Sequence, residues 1–342
     1  MILTDQFNFT LPSELIAQNP IFPRDQCRLM VINRKYQTID HCIFSNIGEY
    51  LQAGDLLVLN DTRVLPARFY AIKKESGGKV EILFLHHHKD WWASSLNPSR
   101  RVRIGTILVL PENPSISWLV VGRDSDWWYL KPSFSQDEEN KIFLKYGHTP
   151  TPPYIKTPQL KLDDYQTVYA RHDGSVAAPT AGIHFTEPLI IHLQKQGVRF
   201  AFLTLHVGPG TFFPVKTHTI EEHRMHSECF ELNRTTAEAI LNTKKRGNRV
   251  IAVGTTVVRV LESIHQRHKY ICEDHGETDI FIYPGFQFQM VDAMITNFHL
   301  PRSTLFMLVC AFAGTDFMKQ VYAEAINHRY RFYSFGDATF II

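Results

Sequence analysis

A block of closely spaced short strands in the first half of the chain restricts its fold more than any other feature. From Val64 onward, β-prone segments of a few residues alternate with turn sequences such as Ser76-Gly77-Gly78 and Asn97-Pro98. Short strands separated by turn residues are typical of small β-barrels and sandwiches. We therefore predict a smaller all-β barrel domain over residues 64–150.

The sequence on both sides of this block has a different pattern. Ser135 and Glu138 give the capping-box signature of a helix, and the prolines of Thr149-Pro150-Thr151-Pro152-Pro153 then force extended backbone. Beyond them, helical segments alternate with short apolar strands, which is typical of an α/β layer or barrel. We predict an α/β fold in which a larger, discontinuous α/β barrel-like domain, residues 1–63 and 151–342, is interrupted by the smaller barrel domain.

Composition excludes several classes of protein. The 342 residues are 44% hydrophobic and 20% charged, the balance of a globular rather than a disordered chain. With 36 basic and 34 acidic residues the net charge is +2, so nucleic-acid binding requires a local basic surface. The five cysteines form no CxxC pair, the N-terminal segment has no signal-peptide pattern, and the apolar run from Leu305 to Gly314 is too short for a bilayer. We expect a reducing, cytoplasmic compartment and no membrane anchor.

Loops of small residues stand where α/β proteins often bind ligands. Gly254-Thr255-Thr256 lies between an apolar strand and a helix, where free backbone N–H groups favour an anion or a polar ligand. Two further small-residue loops contain polar candidates, namely Thr180, Gly182 and His184 in the first and His206, Gly208, Gly210 and Thr211 in the second. The alternatives are a tight turn, with Thr255 or Thr256 as a helix cap, and histidines that serve only a core. No loop matches the GxGxxG or GxxxxGK[ST] fingerprint.

The segment Glu222-His223-Arg224-Met225-His226-Ser227-Glu228 contains two histidines at a spacing that places them on one face of a helix. A metal site would need a third ligand, and neither HExxH nor a Cys/His set is present. We therefore favour neutral imidazoles that act as bases or hydrogen-bond partners, with Glu228 orienting them, and we expect no bound metal.

Other polar candidates stand near the ends of predicted elements. Asp61 and Arg63 follow a buried strand, and Arg63 can contact a phosphate or a carboxylate, although a structural ion pair is an equal alternative. Nearer the C-terminus the candidates are Asp292, Asn297, His299 and Arg331, the last in an aromatic-rich segment suited to base stacking.

Longer motifs occur in a fixed order along nearly the whole chain. They are NDTRVLPAR, TPTPPYI, YQTVYARHDGSVAAPTAGIHFT, LHVGPGTF, HRMHSE, VGTT, FIYPGF, DAMITNFHLPRSTL and YRFYSFGDA. In this set and order the chain resembles the S-adenosylmethionine:tRNA ribosyltransferase-isomerase family of queuosine biosynthesis. It departs from the family pattern at Phe213, where relatives often have Arg, and at Val257, where Ser is common.

The resemblance implies a reaction and its partners. S-adenosylmethionine, a co-substrate, donates its ribosyl portion to 7-aminomethyl-7-deazaguanine at the wobble position of tRNA. Adenine and methionine leave, and epoxyqueuosine-tRNA remains. No cofactor and no membrane partner are implied, and the oligomeric state stays open, with a monomer as the working expectation.

Such a reaction needs a base near the 5′ carbon of the sugar, whose C–H bond the neighbouring sulfonium acidifies. Our catalytic candidates are His184, His206, His223, His226, Glu228 and Asp173. The candidates for substrate binding are Asp61, Arg63, Thr180, Gly182, Gly208, Gly210, Thr211, Gly254, Thr255, Thr256, Asp292, Asn297, His299 and Arg331. Two other functions stay open at this point: a metal-dependent hydrolase built on His223 and His226, and a non-catalytic tRNA-binding module.

Overall fold

The computed structural model describes residues 1–124, 127–156, 160–208 and 215–342. The chain packs as two compact units. The large unit comprises Met1–Arg63, Pro152–His172 and Ala178–Ile342, and the small unit comprises Val64–Thr151 and Asp173–Ala177.

The segment Asp173–Ala177 differs from the prediction, which assigned it to the large domain. Val176 is buried in the core of the small unit, and the backbone N–H of Leu65 donates to the carbonyl of Ser175 at 2.9 Å. A run of small residues carries no periodic pattern, so the sequence could not indicate which core receives it.

Nine strands form the sheet of the large unit. They are β1 (Arg28–Asn33), β2 (Thr38–Ile43), β3 (Leu56–Asn60), β12 (Arg199–Leu205), β13 (Glu228–Leu232), β14 (Val250–Val253), β15 (Asp274–Thr278), β16 (Ala293–Asn297) and β17 (Ala338–Ile341). Their order is β15-β13-β12-β3-β14-β16-β17-β1-β2. The predicted α/β class is confirmed, but the described strands make a sheet with two edge strands, β15 and β2, and not a closed ring.

The centre of this sheet is parallel. Strand β3 pairs in parallel with both β12 and β14, and β14 pairs in parallel with β16. Every residue of β3, β14 and β16 is buried, as expected for parallel strands covered on both faces. The carboxyl ends of these strands therefore meet at one edge, where α/β sheets commonly bind ligands.

Six α-helices complete the described structure. They are α1 (Gln136–Tyr146), α2 (Glu187–Lys195), α3 (Arg234–Lys245), α4 (Thr255–His268), α5 (Thr304–Ala313) and α6 (Thr315–Asn327). Side-chain oxygens of Thr186, Asn233 and Ser303 accept the first free N–H groups of α2, α3 and α5. Among the described residues no single helix is long and apolar enough to cross a bilayer, although α5 and α6, bent by 114°, have that length and composition when taken together.

The N-terminal part of the chain contains short 3-10 turns, among them Ser13–Leu15 and Phe44–Tyr50. Neither Ser13 nor Ser45 caps its turn, because each lies inside the turn and not before it. Short segments of this kind lack the repeated hydrogen bonds that stabilise an α-helix.

The small unit is a closed six-stranded antiparallel barrel, which confirms the predicted all-β barrel. Its strands are β5 (Arg68–Lys73), β6 (Lys79–His88), β7 (Trp91–Asn97), β8 (Ile107–Leu110), β9 (Asn113–Arg123) and β10 (Trp128–Pro132). The predicted capping box between Ser135 and Glu138 begins α1, and Phe143 of α1 stacks on Trp92 with ring centroids 5.2 Å apart. Two further short strands, β4 (Thr62–Val64) and β11 (His172–Ser175), lie where the chain passes from one unit to the other.

We predict that a side chain at Gly147, the residue after α1, lowers the stability of the barrel. A Cβ atom there would lie 1.9 Å from the carbonyl oxygen of Pro66 and 2.5 Å from that of Phe143, and backbone atoms cannot move aside cheaply. We expect Gly147→Ala to lower the free energy of unfolding by about 1–3 kcal/mol, the usual cost of overpacking. Urea unfolding followed by tryptophan fluorescence measures this.

The matched control is Gly78→Ala, because the nearest atom to its Cβ would be Ser76 Oγ at an ordinary 3.5 Å. Equal unfolding midpoints for the two variants would contradict the close approach at Gly147.

Candidate active site

An open cleft lies at the carboxyl ends of β14 and β16 in the large unit. It holds about 640 Å³ of empty space, part of it open to solvent. Its polar and aromatic lining residues are Tyr154, Thr180, Gly254, Thr255, Thr256, Thr296, Asn297, Phe298, His299, Ser303, Tyr333 and Ser334.

The N-terminus of α4 forms one wall of this cleft. Gly254 precedes the helix with φ +95°, a conformation that other residues rarely adopt, and as a glycine it has no side chain with which to cap the first N–H groups. The predicted alternative, in which Thr255 or Thr256 is the cap, is therefore wrong, since both residues are already inside the helix. The free N–H groups and the positive end of the helix dipole favour an anionic or polar ligand here.

Asn297 stands at the carboxyl end of β16 and links the cleft to a buried hydrogen-bond chain. Its Oδ1 accepts from the Thr180 hydroxyl at 3.1 Å, and its Nδ2 lies 3.0 Å from His184 Nε2 and 3.3 Å from the Tyr333 carbonyl oxygen. Because the amide nitrogen donates to Nε2, the proton of the neutral His184 ring is on Nδ1. That nitrogen lies 3.1 Å from Cys27 Sγ, so both ring nitrogens of His184 are engaged.

Burial keeps two of the candidate histidines neutral. It lowers the pKa of His184 to about 3, helped by the positive charges of Arg24 and Arg331, and burial alone lowers the pKa of His299 to about 3. His299 lines the cleft, where its Nε2 is 3.0 Å from the Thr296 hydroxyl. Neither ring carries a positive charge at neutral pH.

A smaller pocket adjoins the cleft, with Leu305 bordering both. Its polar lining comes from five residues, His223, His226, Glu228, Arg259 and Thr304. Burial lowers the pKa of His223, and the neighbouring His226 lowers it further. Within the described part of the chain, neither histidine belongs to a group of three His, Cys, Asp or Glu side chains close enough to share a metal ion.

Glu228 and Arg259 form a buried ion pair at this pocket. Glu228 Oε1 also accepts from the backbone N–H of Gly208 at 2.8 Å, which places Gly208 beside the pocket. Breaking a buried pair leaves an uncompensated charge and typically costs about 3–5 kcal/mol. Glu228 is therefore held in place by Arg259 and by the backbone N–H of Gly208.

Three further candidates lie near the end of β3 and β12. His206 Nδ1 is 2.8 Å from the Thr62 hydroxyl, Asp61 accepts from the Thr204 hydroxyl at 2.7 Å, and Arg63 donates to the Ala170 carbonyl at 2.9 Å. Burial raises the pKa of Asp61. None of the three residues borders the described cleft.

Three candidates lie elsewhere. Asp292 accepts from Lys244 Nζ and from the N–H of Val250, so it sits at the amino ends of β14 and β16, opposite the cleft. Arg331 donates its backbone N–H to Asp337 at 2.7 Å, outside the cleft lining. Asp173 lies in the small unit and is exposed.

Gly182 serves packing: a Cβ there would be 1.9 Å from the hydroxyl oxygen of Tyr169. The remaining candidates, Gly210 and Thr211, lie outside the described residues, as does the departure at Phe213.

The structure also adds residues that the sequence reasoning missed. Tyr154 and Tyr333 line the cleft with ring centroids 4.8 Å apart, and the Tyr154 hydroxyl lies 2.7 Å from that of Ser334. Arg259 holds Glu228 through an ion pair, and Cys27 Sγ contacts Nδ1 of His184. Of these residues, only Arg259 could have been recognised from the sequence, because it is a charged residue on the apolar face of α4.

Because His184 and His299 are neutral in the folded state, we expect the folded protein to lose stability at acidic pH. Unfolded histidine has a pKa of about 6.5, whereas His184 and His299 bind a proton in the folded state only near pH 3. The unfolded chain therefore binds more protons below pH 6.5, so the free energy of unfolding falls as the pH drops toward 3. The slope is at most about 1.4 kcal/mol per pH unit for each histidine.

Urea unfolding between pH 7.5 and pH 4.5 measures this slope. We expect His299→Gln to reduce it and His192→Ala, a change at an exposed helix position, to leave it unaltered. The same slope in the His299→Gln variant and in the unmodified chain would show that His299 is not held neutral.

Comparison with known proteins agrees with this architecture. The model of the family described as "Queuosine biosynthesis protein" matches residues 4–341. The S-adenosylmethionine:tRNA ribosyltransferase-isomerase from Thermotoga maritima is 50% identical to this chain, over 98% of this chain and 99% of its own length. The enzyme of the same name from Thermosipho melanesiensis is 49% identical, over 100% of both chains.

A crystal structure of S-adenosylmethionine tRNA ribosyltransferase from Thermotoga maritima superposes with a TM-score of 0.58 and 42% identity, covering 98% of this chain and 100% of that one. Because a family model and close relatives both extend over essentially the whole sequence, the chain belongs to the queuosine biosynthesis family of S-adenosylmethionine:tRNA ribosyltransferase-isomerases and is a tRNA-modifying transferase.

Proposed function

We propose that this enzyme transfers and isomerises the ribosyl portion of S-adenosylmethionine onto 7-aminomethyl-7-deazaguanine at the wobble position of tRNA, giving epoxyqueuosine-tRNA. The bond from the sugar to adenine and the bond from its 5′ carbon to sulfur break, a bond to the acceptor amine forms, and the sugar rearranges into the epoxide-bearing carbon ring of the product. The proton removed from the 5′ carbon leaves on adenine, and the proton lost by the amine is released with the positive charge of the sulfonium. Adenine and methionine are the leaving products. The observation that carries this proposal is the family match over residues 4–341.

S-adenosylmethionine binds, in this proposal, in the cleft at the carboxyl ends of β14 and β16. The free N–H groups of Thr255 and Thr256 suit its carboxylate or its ribose hydroxyls. The aromatic faces of Tyr154, Phe298 and Tyr333 suit its adenine and its sulfonium, since a cation over an aromatic ring gains about 0.5–2 kcal/mol.

The base that removes the 5′ proton comes from the adjoining pocket, where His223 and His226 stand together. A lowered pKa keeps His223 neutral at physiological pH, and a neutral imidazole can accept a proton. His184 is unsuitable, because both its ring nitrogens are engaged and its pKa is about 3. We assign His184 a positioning role: it holds the Asn297 amide in the orientation that faces the cleft.

Transfer-RNA binding is assigned to basic side chains that meet the phosphate backbone. The candidates are Arg63, Arg100, Arg101, Arg103, Lys244, Lys245 and Arg246. Lys244 is already paired with Asp292 at 2.8 Å, so it is the least available of them. We further propose that the enzyme needs no cofactor and acts as a monomer in the cytoplasm.

The decisive experiment uses S-adenosylmethionine labelled on its ribose. With tRNA carrying the aminomethyl deazaguanine we expect the label in the RNA and one adenine released for each sugar transferred. Unmodified tRNA is the control and yields neither product. Transfer of a methyl group instead, or adenine release that does not depend on the acceptor tRNA, would overturn the proposal.

The same assay distinguishes the two rival functions. A metal-dependent hydrolase would lose activity on exhaustive chelation, and a non-catalytic binding module would bind tRNA without releasing adenine. We expect adenine release to continue at an unchanged rate in the presence of a chelator.

Substitution of the histidines tests their roles. Loss of a general base typically lowers the rate by about 10²–10⁴-fold. We expect His223→Ala or His226→Ala to lower the single-turnover rate of adenine release by that factor, with binding of S-adenosylmethionine retained. His192→Ala is the matched control.

For His184→Ala we expect a smaller loss of rate, and weaker binding of S-adenosylmethionine, because Asn297 loses its partner. Unchanged rates in both His223→Ala and His226→Ala would exclude the adjoining pocket as the source of the base.

A further inference from the structure

Away from the cleft, three metal-ligating side chains converge at one edge of the large sheet. His41 lies on the edge strand β2, Glu324 on the last turns of α6, and His328 directly after that helix. His41 Nε2 is 3.7 Å from Glu324 Oε1, and His328 Nδ1 is 3.1 Å from the same oxygen. All three ligand atoms lie within 4.8 Å of one another.

Two of these separations lie close to those of a tetrahedral zinc site. Zinc binds imidazole nitrogen and carboxylate oxygen at about 2.0–2.2 Å, which puts the ligand atoms of a tetrahedron roughly 3.3–3.6 Å apart. The distances of 3.1 and 3.7 Å lie on either side of that interval. His328 Nδ1 also lies 3.1 Å from the Glu324 carbonyl oxygen, a contact that zinc would replace.

The orientation of His41 is set by a second contact. Its Nδ1 is 2.8 Å from the hydroxyl of Tyr330, which is 1% exposed, and this leaves Nε2 directed to Glu324. Histidine ligands of metals commonly have the other ring nitrogen engaged in this way. Arg28, whose guanidinium donates to the His328 carbonyl at 2.8 Å, lies over the Tyr330 ring at 4.1 Å and is paired with the buried carboxylate of Asp337.

We propose that His41, Glu324 and His328 bind one zinc ion, with water in the fourth position. Two imidazoles and one carboxylate suit zinc and not magnesium or calcium, which prefer all-oxygen sites. The ligand side chains are 37%, 38% and 55% exposed, so both the ion and a water molecule have access. The bound ion would tie β2 to the end of α6, which no described backbone hydrogen bond does.

The alternative explanation for the same geometry is an ion pair between Glu324 and protonated imidazoles. An exposed pair of this kind contributes little to stability and needs no metal. The two explanations differ in one measurable property, which is whether the cluster binds zinc when the histidines are neutral.

The experiment titrates metal-free, full-length protein with zinc chloride at pH 7.5 by calorimetry. We expect one zinc ion per chain and a higher thermal unfolding temperature with zinc present, since a ligand that binds only the folded state stabilises it. We expect His41→Ala, His328→Gln and Glu324→Gln each to lose this binding, and His192→Ala to retain it. Tyr330→Phe should weaken zinc binding by about tenfold, as removal of an outer-shell partner does.

Cobalt(II) provides a second readout, because a tetrahedral site gives intense visible absorption bands that an octahedral aqua ion lacks. The proposal is overturned if the unmodified chain binds no stoichiometric zinc, or if His328→Gln and Glu324→Gln bind zinc as the unmodified chain does. We expect adenine release to be equal with and without zinc, so this outcome is independent of the proposed function.

Discussion

The parallel pairing of four neighbouring strands governs the rest of the large unit. Because β12, β3, β14 and β16 run in the same direction, the segments that follow them emerge at one edge of the sheet. Gly254 and Asn297 are 43 positions apart in the chain, by their numbers, yet both border one cleft for this reason. The backbone hydrogen bonds of the central strands are satisfied within the sheet, which leaves the loops at its edge to supply the chemistry.

Buried polar groups next to this cleft hold one another in place through hydrogen bonds. The Asn297 amide is held by three contacts, with Thr180 at Oδ1 and with His184 and Tyr333 at Nδ2, and His184 is itself held by Cys27. Removing one member leaves the others buried without a partner, which costs about 1–3 kcal/mol for each group. A network with that cost fixes one orientation of the amide, because both of its N–H groups are already engaged.

Local patterns in the sequence were enough to predict most helices and the barrel strands. The capping box at Ser135 is confirmed because such signals act within a few residues. The direction in which each strand runs in the sheet cannot be predicted from such local patterns. Asp292 and Asn297 stand close together in the sequence, but they lie at opposite ends of β16, and only the sheet topology separates them. The partnership of Cys27 with His184 likewise joins distant segments and has no local signal.

The order of the strands along the chain affects how the protein folds while it is being translated. β3 leaves the ribosome early, while its neighbours β12 and β14 emerge only after the whole barrel has been translated. The barrel is almost contiguous and closes on itself, so it can fold in the interval, whereas the apolar β3 segment must wait with both its hydrogen-bonding edges open. Nascent polypeptides of this enzyme therefore pass through a stage in which an aggregation-prone strand depends on chaperone protection or on the speed of elongation.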